Sequence, residues 1–431
     1  MHKVLIITYY WPPSGGSAVL RWLKFTKYLR EFGWEPVIYT PENPEPQEID
    51  ESLLRDIPEN TEILKTRIIE PYSIYKWLTG KKQSDRLGVA LMTDQTKRGL
   101  LNKISLWIRS NFFIPDPRIL WVRPSIRNLA RYLDKNPVDI IISTGPPHSM
   151  HLIAFGLKRK LKLKWLADFR DPWTNIDFYK ELLLTTFADK YHKKLERKIL
   201  DGADHIITVS KGISADFASM GLLNVSTITN GFDEEESNSV KSTIEKFSIT
   251  HLGSLPKSRN PENLWTALAS LVEEDERFAS QLEINLIGKV DQSIQRAIDQ
   301  HGLHKYVCYQ SYIPHDQTAD ILRSSAILLL CINNTPNAKG ILTNKFFEYL
   351  SVKRPILALG PADGDAAFIL AESGAGKIFG YEDSDLLKAH IRHLFDLYSQ
   401  DHLTVNSSGI EKYSRRNLTG QLSEVLNNLL N

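Results

Sequence analysis

The run Val4-Leu-Ile-Ile-Thr8, the turn Trp11-Pro-Pro-Ser-Gly-Gly16 and the recurrence of Trp22, Phe25, Leu29 and Phe32 decide how this chain folds. A continuous apolar run is what a strand buried on both faces of a sheet requires. Residues 18–32 then carry bulky apolar side chains at helical spacing, which predicts an amphipathic helix. Gly33 ends it, and Pro36-Val-Ile-Tyr39 forms a second strand. Strand, helix and strand in this order make a βαβ unit.

The unit recurs. Residues 139–143, 164–167, 205–209 and 226–228 read as further strands. A Gly-Pro-Pro turn and a helix from Ser149 follow the first of these, and a long helical stretch covers 179–200. The polar, acidic run Asp233-Glu-Glu-Glu-Ser-Asn-Ser breaks the pattern, so residues 233–246 are expected to be an interdomain linker. Beyond it, strands over 248–251, 284–287, 307–309, 327–332 and 355–359 alternate with helices from Pro261, near Ser293 and Thr318, and over 345–351. This alternation predicts two doubly wound parallel-sheet domains, residues 1–232 and 247–410. Ligands of such sheets bind beyond the carboxyl ends of the strands, so a cleft faced by both domains is the expected site. Residues 411–431 hold a final amphipathic helix that either caps the second domain or crosses back to the first.

A chain of 431 residues exceeds what one core usually organises, in keeping with about two domains. The formal charge of +2 argues against a general nucleic-acid binder. Cys308 and Cys331 lie in strand-like contexts and read as buried free thiols of a reducing compartment, and no Cys/His cluster has zinc spacing. The N-terminus lacks a small-residue cleavage site and reads as a first strand; no run approaches the ~20 apolar residues needed to cross a bilayer. The expected location is cytoplasmic, with peripheral contact at the inner face of a membrane as a further reading. Lys97-Arg-Gly-Leu-Leu-Asn-Lys-Ile-Ser-Leu-Trp-Ile-Arg109, with Phe112 and Phe113, mixes cations with large apolar groups. It fits either an anionic membrane surface or a core helix with a solvated basic face.

Gly340-Ile-Leu-Thr-Asn-Lys-Phe-Phe-Glu348 is a polar loop feeding a short helix, followed by an apolar strand from Pro355. A helix N-terminus offers free N–H groups and a positive dipole end, which suits a phosphate. Glu348, about one turn into the helix, is placed to accept hydrogen bonds from a ribose diol. In the first loop, Gly15 and Gly16 let the backbone approach a ligand at a helix start that also carries Arg21. A tight turn without a ligand fits equally, and the spacing is not a dinucleotide fingerprint. His148, in Ser143-Thr-Gly-Pro-Pro-His148, either contacts a transferred sugar and assists proton movement or is a hydrogen-bonded structural residue. In Asp168-Phe-Arg170-Asp171, two carboxylates and a guanidinium either bind hydroxyls of a sugar acceptor or form an internal salt bridge. Tyr312 and Ile313 follow a strand and frame a nucleotide base through backbone groups, unless the segment is an ordinary loop. Asp363-Gly-Asp365 and Asp383-Ser-Asp385 spell a pattern that holds metal in unrelated sugar transferases. Asp383 reads more simply as a helix N-cap, and no essential metal is expected.

Several of these words resemble glycosyltransferase family 4, in a branch of the bacterial polysaccharide-biosynthesis type. They are Tyr10-Trp-Pro-Pro-Ser-Gly-Gly16, Leu23-Lys-Phe-Thr-Lys-Tyr-Leu29, Asp168-Phe-Arg-Asp-Pro-Trp173, Asn230-Gly-Phe-Asp233 and Thr343-Asn-Lys-x-x-Glu348-Tyr-Leu with Pro355. The resemblance implies two Rossmann-like domains of the glycosyltransferase B fold, with the terminal helix returning to the first. The N-terminal domain would bind the acceptor through Arg21, Asp168, Arg170 and Asp171. The donor would be bound by Gly15, Gly16, Gly253, Ser254, Lys257, Arg259, Tyr312, Ile313, Thr343, Asn344, Lys345 and Glu348, with His148, Arg259 and Glu348 as the catalytic set. The family places an Arg and a Lys after Gly253 to neutralise the donor diphosphate. Here Ser254 occupies the usual Arg position, and Arg259, ahead of Lys257, is the expected substitute. Of the family's two spaced Glu, Glu348 is the second, while Gly340 stands at the first, which approaches the sugar hydroxyls.

The expected activity is retaining transfer of a sugar from a nucleoside diphosphate sugar to a hydroxyl of a glycan or lipid-linked acceptor in cell-surface polysaccharide biosynthesis, with no cofactor. Two alternatives stand beside it: a sugar-nucleotide epimerase on the same fold, and a module that binds nucleotide sugar without turnover, suggested by Gly340 and Ser254.

Overall fold

The computed structural model describes residues 1–45, 48–70, 100–177, 179–234, 244–311 and 313–431, with only the backbone of residues 100–103. Tyr312, residues 97–99 and most of the expected linker lie outside the described residues. The chain divides into two compact units, Met1–Thr229 with Leu418–Asn431, and Asn230–Asn417.

Among the described residues, the first unit is built on seven strands: β1 (His2–Ile7), β2 (Trp34–Pro41), β3 (Glu62–Thr66), β4 (Ile140–Gly145), β5 (Lys164–Phe169), β6 (His205–Thr208) and β7 (Val225–Thr227). All pair in parallel, in the order β3-β2-β1-β4-β5-β6-β7. The order reverses between β1 and β4, so the loops leaving these strands part and open a crevice at the carboxyl edge. Alternation across the pleat feeds two cores. Leu5, Ile7, Ile141, Trp165 and Ala167 pack with helices Ile119–Leu133, Ser149–Leu161 and Thr186–Gly202. Val4, Ile6, Ile140, Ile142 and Leu166 pack with helix Ser17–Leu29 and with Leu418, Leu422 and Leu426. Strands covered on both faces read as apolar runs; β3 is a half-exposed edge strand and carries no such run.

The second unit holds six parallel strands among the described residues: β8 (Phe247–Leu252), β9 (Leu282–Ile287), β10 (Val307–Gln310), β11 (Ile327–Cys331), β12 (Ile356–Leu359) and β13 (Gly376–Phe379). Their order is β10-β9-β8-β11-β12-β13, reversing between β8 and β11. Cys331 is buried on β11, but Cys308 is exposed because β10 is an edge strand, which corrects the expectation of two buried thiols. The sequence suggested unit boundaries at 232 and 410; the structure divides at 229 and 417. The reason is local pairing: Phe232 N–H donates to the Tyr413 carbonyl (3.1 Å), and Arg415 N–H donates to the Phe232 carbonyl (2.8 Å). Helix Arg415–Leu430 therefore starts in the second unit and from Leu418 belongs to the first.

A buried ion pair holds the carboxyl edge of the first sheet. Asp168 and Arg21 are both fully buried, with Arg21 Nη2 3.0 Å from Asp168 Oδ1. Trp22 Nε1 (2.7 Å) and Thr144 Oγ1 (2.8 Å) also donate to Asp168, while Arg21 donates to the carbonyls of Ile228 and Thr229, both at 2.9 Å. Asp168→Ala would strand the guanidinium, a change that typically costs about 3–5 kcal/mol. The melting midpoint in a thermal scan should fall by on the order of 10 °C; an unchanged midpoint would remove the pair from the account of stability.

Candidate functional site

The carboxyl ends of β8 and β11 flank the switch point of the second sheet. Gly253 turns the chain there at φ +97°, and a Cβ on it would lie 3.2 Å from Lys345 Nζ, so glycine serves both the turn and the close approach. His251, fully buried, faces the Leu329 carbonyl with Nδ1 (3.0 Å) and Lys345 Nζ with Nε2 (3.2 Å). A carbonyl only accepts, so Nδ1 carries the proton and Nε2 offers its lone pair to the ammonium. Burial, and then Lys345, hold the His251 pKa well below its ordinary value. Lys345 is itself pushed down to about 7, by burial first and then by Arg259. Asn333, on the loop after β11, accepts from Arg259 Nε through Oδ1 and aims the guanidinium. Two cations near one another, one of them facing a neutral imidazole, create a demand for an anion.

Helix Asn344–Ser351 starts beside this pair. Thr343 takes the N-cap position, yet its hydroxyl makes no cap bond, and Oγ1 is buried without a hydrogen-bond partner among the described residues. An unbonded buried hydroxyl at a helix N-terminus is one that a ligand can satisfy. Asn344 Oδ1 accepts from buried Arg415 Nη2 (3.3 Å). Glu348 Oε1 lies 3.6 Å from His315 Nε2. Burial alone would raise the Glu348 pKa, but His315, Arg415 and Lys345 together hold it below the ordinary value, and the carboxylate stays an ionised acceptor. The structure thus gathers Gly253, Arg259, Thr343, Lys345 and Glu348. Ser254 and Lys257 are exposed, Ile313 is buried and Tyr312 lies outside the described residues. His251, His315, Asn333 and Arg415 were not picked out from the sequence as site residues, because each acts through a partner distant along the chain.

Asp383 stands at the N-cap position of helix Ser384–Ser399 but makes no cap bond; its Oδ2 instead accepts from Gly380 N–H (2.8 Å) and closes the preceding turn. Asp363 pairs with Lys339 at 2.5 Å. Among the described residues, no three His, Cys, Asp or Glu side chains stand together to hold a metal ion.

In the first unit, Arg170 ties the loops that leave β1, β4 and β5. Its backbone N–H donates to the Gly145 carbonyl (3.0 Å), Nη1 to Ala18 (2.9 Å) and Nη2 to Pro146. Arg21 and Asp168, expected at an acceptor, are fully buried and hold one another instead, whereas Arg170 is half-buried and Asp171 is exposed. Gly15 also departs from expectation, since its N–H donates to the Glu48 carbonyl (2.8 Å), whereas Gly16 is exposed at φ +89°. His148 is 7% exposed and stacks on Trp173, centroids 4.8 Å apart and planes at 5°. A Cβ on Gly145 would lie 2.9 Å from His148 Nδ1 and 2.5 Å from His151 Nε2, so glycine makes room for both rings. Those two nitrogens are buried without hydrogen-bond partners among the described residues. Burial, then His151 and Arg170, keep His148 neutral. Trp173 is fixed in turn from helix Thr186–Gly202: its Nε1 donates to His192 Nδ1 (3.0 Å) and its N–H to Glu196 (3.2 Å).

The family model described as Glycosyltransferase Family 4 matches residues 18–236. No curated protein sequence matches the chain. Among solved structures, a sucrose-phosphate synthase from Thermosynechococcus elongatus aligns with a TM-score of 0.65 at 14% identity, over 100% of this chain and 99% of that one. A TarM variant of S. aureus, solved with fondaparinux, α-GlcNAc-glycerol and UDP, aligns with a TM-score of 0.61 at 13% identity over 100% of both chains. A protein of Listeria monocytogenes described as a candidate UDP-N-acetylglucosamine 2-epimerase gives 0.56 at 10% identity, over 98% and 95%. At such identities the likeness speaks for the fold, two parallel-sheet domains of the glycosyltransferase B type. The family match covers more than half of the sequence, and the chain therefore belongs to glycosyltransferase family 4 and is a glycosyltransferase.

Proposed function

We propose that the protein is a retaining transferase that moves a sugar from a nucleoside diphosphate sugar to a hydroxyl of a glycan or lipid-linked acceptor in cell-surface polysaccharide assembly. The observation that carries this reading is the cation pair Lys345 and Arg259 at the switch point of the second sheet, with the unbonded Thr343 hydroxyl and the ionised Glu348 beside it. A diphosphate fits the cations and the hydroxyl, and a ribose diol fits the carboxylate. The UDP held by the TarM variant supports such a ligand. In the transfer, the bond from the anomeric carbon to the diphosphate oxygen breaks and its electron pair leaves with the diphosphate, where Lys345 and Arg259 neutralise the growing charge. The acceptor oxygen bonds the same carbon, and its proton passes to the departing diphosphate. His148, held neutral, suits contact with the transferred sugar. Gly340 supplies no carboxylate to the sugar hydroxyls. The proposal includes a cytoplasmic location, no essential metal, and an acceptor met at the inner face of a membrane.

Titration calorimetry with UDP, GDP and ADP tests the donor site; binding of none of them would overturn it. Lys345→Ala should weaken the bound nucleotide by about ten- to a hundredfold. A bound diphosphate raises the Lys345 pKa from about 7. Below that pH the ammonium is charged in both states and affinity is flat; above it a proton must be taken up, so affinity falls by about tenfold per pH unit. Constant affinity between about pH 7 and pH 9 would contradict this linkage.

Glu348→Ala should cost a ribonucleotide roughly tenfold in affinity and leave a 2′,3′-dideoxy analogue unchanged. Equal losses for the two ligands would remove Glu348 from the ribose. Conversion of donor without acceptor, followed by product NMR, would identify an epimerase instead.

A further inference from the structure

Helix Leu100–Phe112 turns its apolar stripe to solvent. Ile104, Trp107, Ile108 and Phe112, spaced as one helical face, are 46%, 40%, 42% and 69% exposed, while Leu106 and Ser110 are buried. A core helix shows the reverse arrangement. The stripe continues onto a neighbouring element. Asn111 Nδ2 donates to the Leu183 carbonyl (3.2 Å), and Asn111 Oδ1 accepts from Thr185 N–H (2.7 Å) and Oγ1 (2.8 Å). This tie joins the helix to the stretch that leads into helix Thr186–Gly202, where Leu183, Phe187 and Tyr191 are exposed by 45%, 78% and 45%. The Phe187 and Tyr191 rings stack at 6.3 Å, and Trp107 meets Phe112 edge-on at 5.7 Å.

The same surface is basic. Lys190, Lys193, Lys194, Arg197 and Lys198 are exposed on helix Thr186–Gly202, and Lys180 is exposed just before it. Of the acids there, Asp189 pairs with Lys193 and Asp201 with Arg197, both at 2.8 Å, and Glu181 is exposed. Lys180, Lys190, Lys194 and Lys198 exceed what Glu181 balances. Aromatic groups bordered by such lysines match the headgroup region of an anionic bilayer, where rings enter the interface and ammonium groups meet lipid phosphates. A second copy would bring like charges together, and a neutral protein surface would leave the lysines unanswered.

We propose that the face made by Trp107, Phe112, Leu183, Phe187 and Tyr191, with Lys190 and Lys194, docks on an anionic membrane surface. It deepens the reading of a lipid-borne acceptor, and its test needs neither acceptor nor donor. The full chain is floated with vesicles of phosphatidylcholine alone, or with about a third phosphatidylglycerol, at low and high salt. Flotation with the anionic vesicles only, reduced by salt, is expected. Phe112→Ser with Phe187→Ser, and separately Lys190→Glu with Lys194→Glu, should each cut partitioning at least about tenfold, with melting midpoint and UDP binding unchanged. No flotation, equal flotation with neutral vesicles, or self-association abolished by Phe187→Ser would overturn the proposal. Failed flotation with intact UDP binding strikes the docking face alone; lost UDP binding with intact flotation strikes the transferase reading alone.

Discussion

Asp168 holds its carboxylate where no water reaches, and the carboxyl edge of the first sheet is arranged to answer that one charge. Arg21, Trp22 and Thr144 converge on it from helix Ser17–Leu29 and from β4, and Arg21 carries the tie on to the carbonyls of Ile228 and Thr229. A buried ion persists only when paired and fully hydrogen-bonded, so these groups are committed to one another before any ligand arrives. Lys345 in the second sheet is the converse. Its ammonium is also desolvated, but it faces the lone pair of His251 and lies near a second cation, Arg259. An interior that answers a charge in full builds a scaffold; the one around Lys345 leaves its charge partly unanswered.

That distinction explains what could be read from the sequence. Both sheets were legible because strands covered on two faces must be apolar along their length, as 4–7 and 327–331 are. An edge position relaxes that demand: of the four edge strands among the described residues, β7 and β10 were legible, while β3 and β13 were missed. Motif words located the loops at the carboxyl edges but could not say which side chains point outward. Arg21 on the helix after the first loop and Asp168 at the end of β5 are fully buried, and Arg170 spends its guanidinium on backbone carbonyls. His315 and Arg415 set the charge of Glu348 from far along the chain, and no local pattern announces such a pairing.

Two glycines do comparable work in the two units. The absent Cβ of Gly145 leaves space for the rings of His148 and His151, and that of Gly253 leaves space for the end of Lys345. In each case the loop residue is chosen for what its neighbour must occupy. A sequence comparison that scores such glycines only as turn formers overlooks the side chains they admit.

The terminal helix carries a consequence for how the protein is made. Leu418, Leu422 and Leu426 are buried among Val4, Ile6, Trp22 and Ile140, so the layer on that face of the first sheet is closed by residues that follow the whole second unit in the chain. Domains ordinarily fold in order as they leave the ribosome. Here the amino-terminal unit lacks part of its interior until the whole second unit has been translated, and it must wait with Trp22 and its neighbours only partly covered. Fragments that end before Leu418 expose that apolar surface permanently, which makes them substrates for chaperones and proteases rather than miniature versions of the first unit.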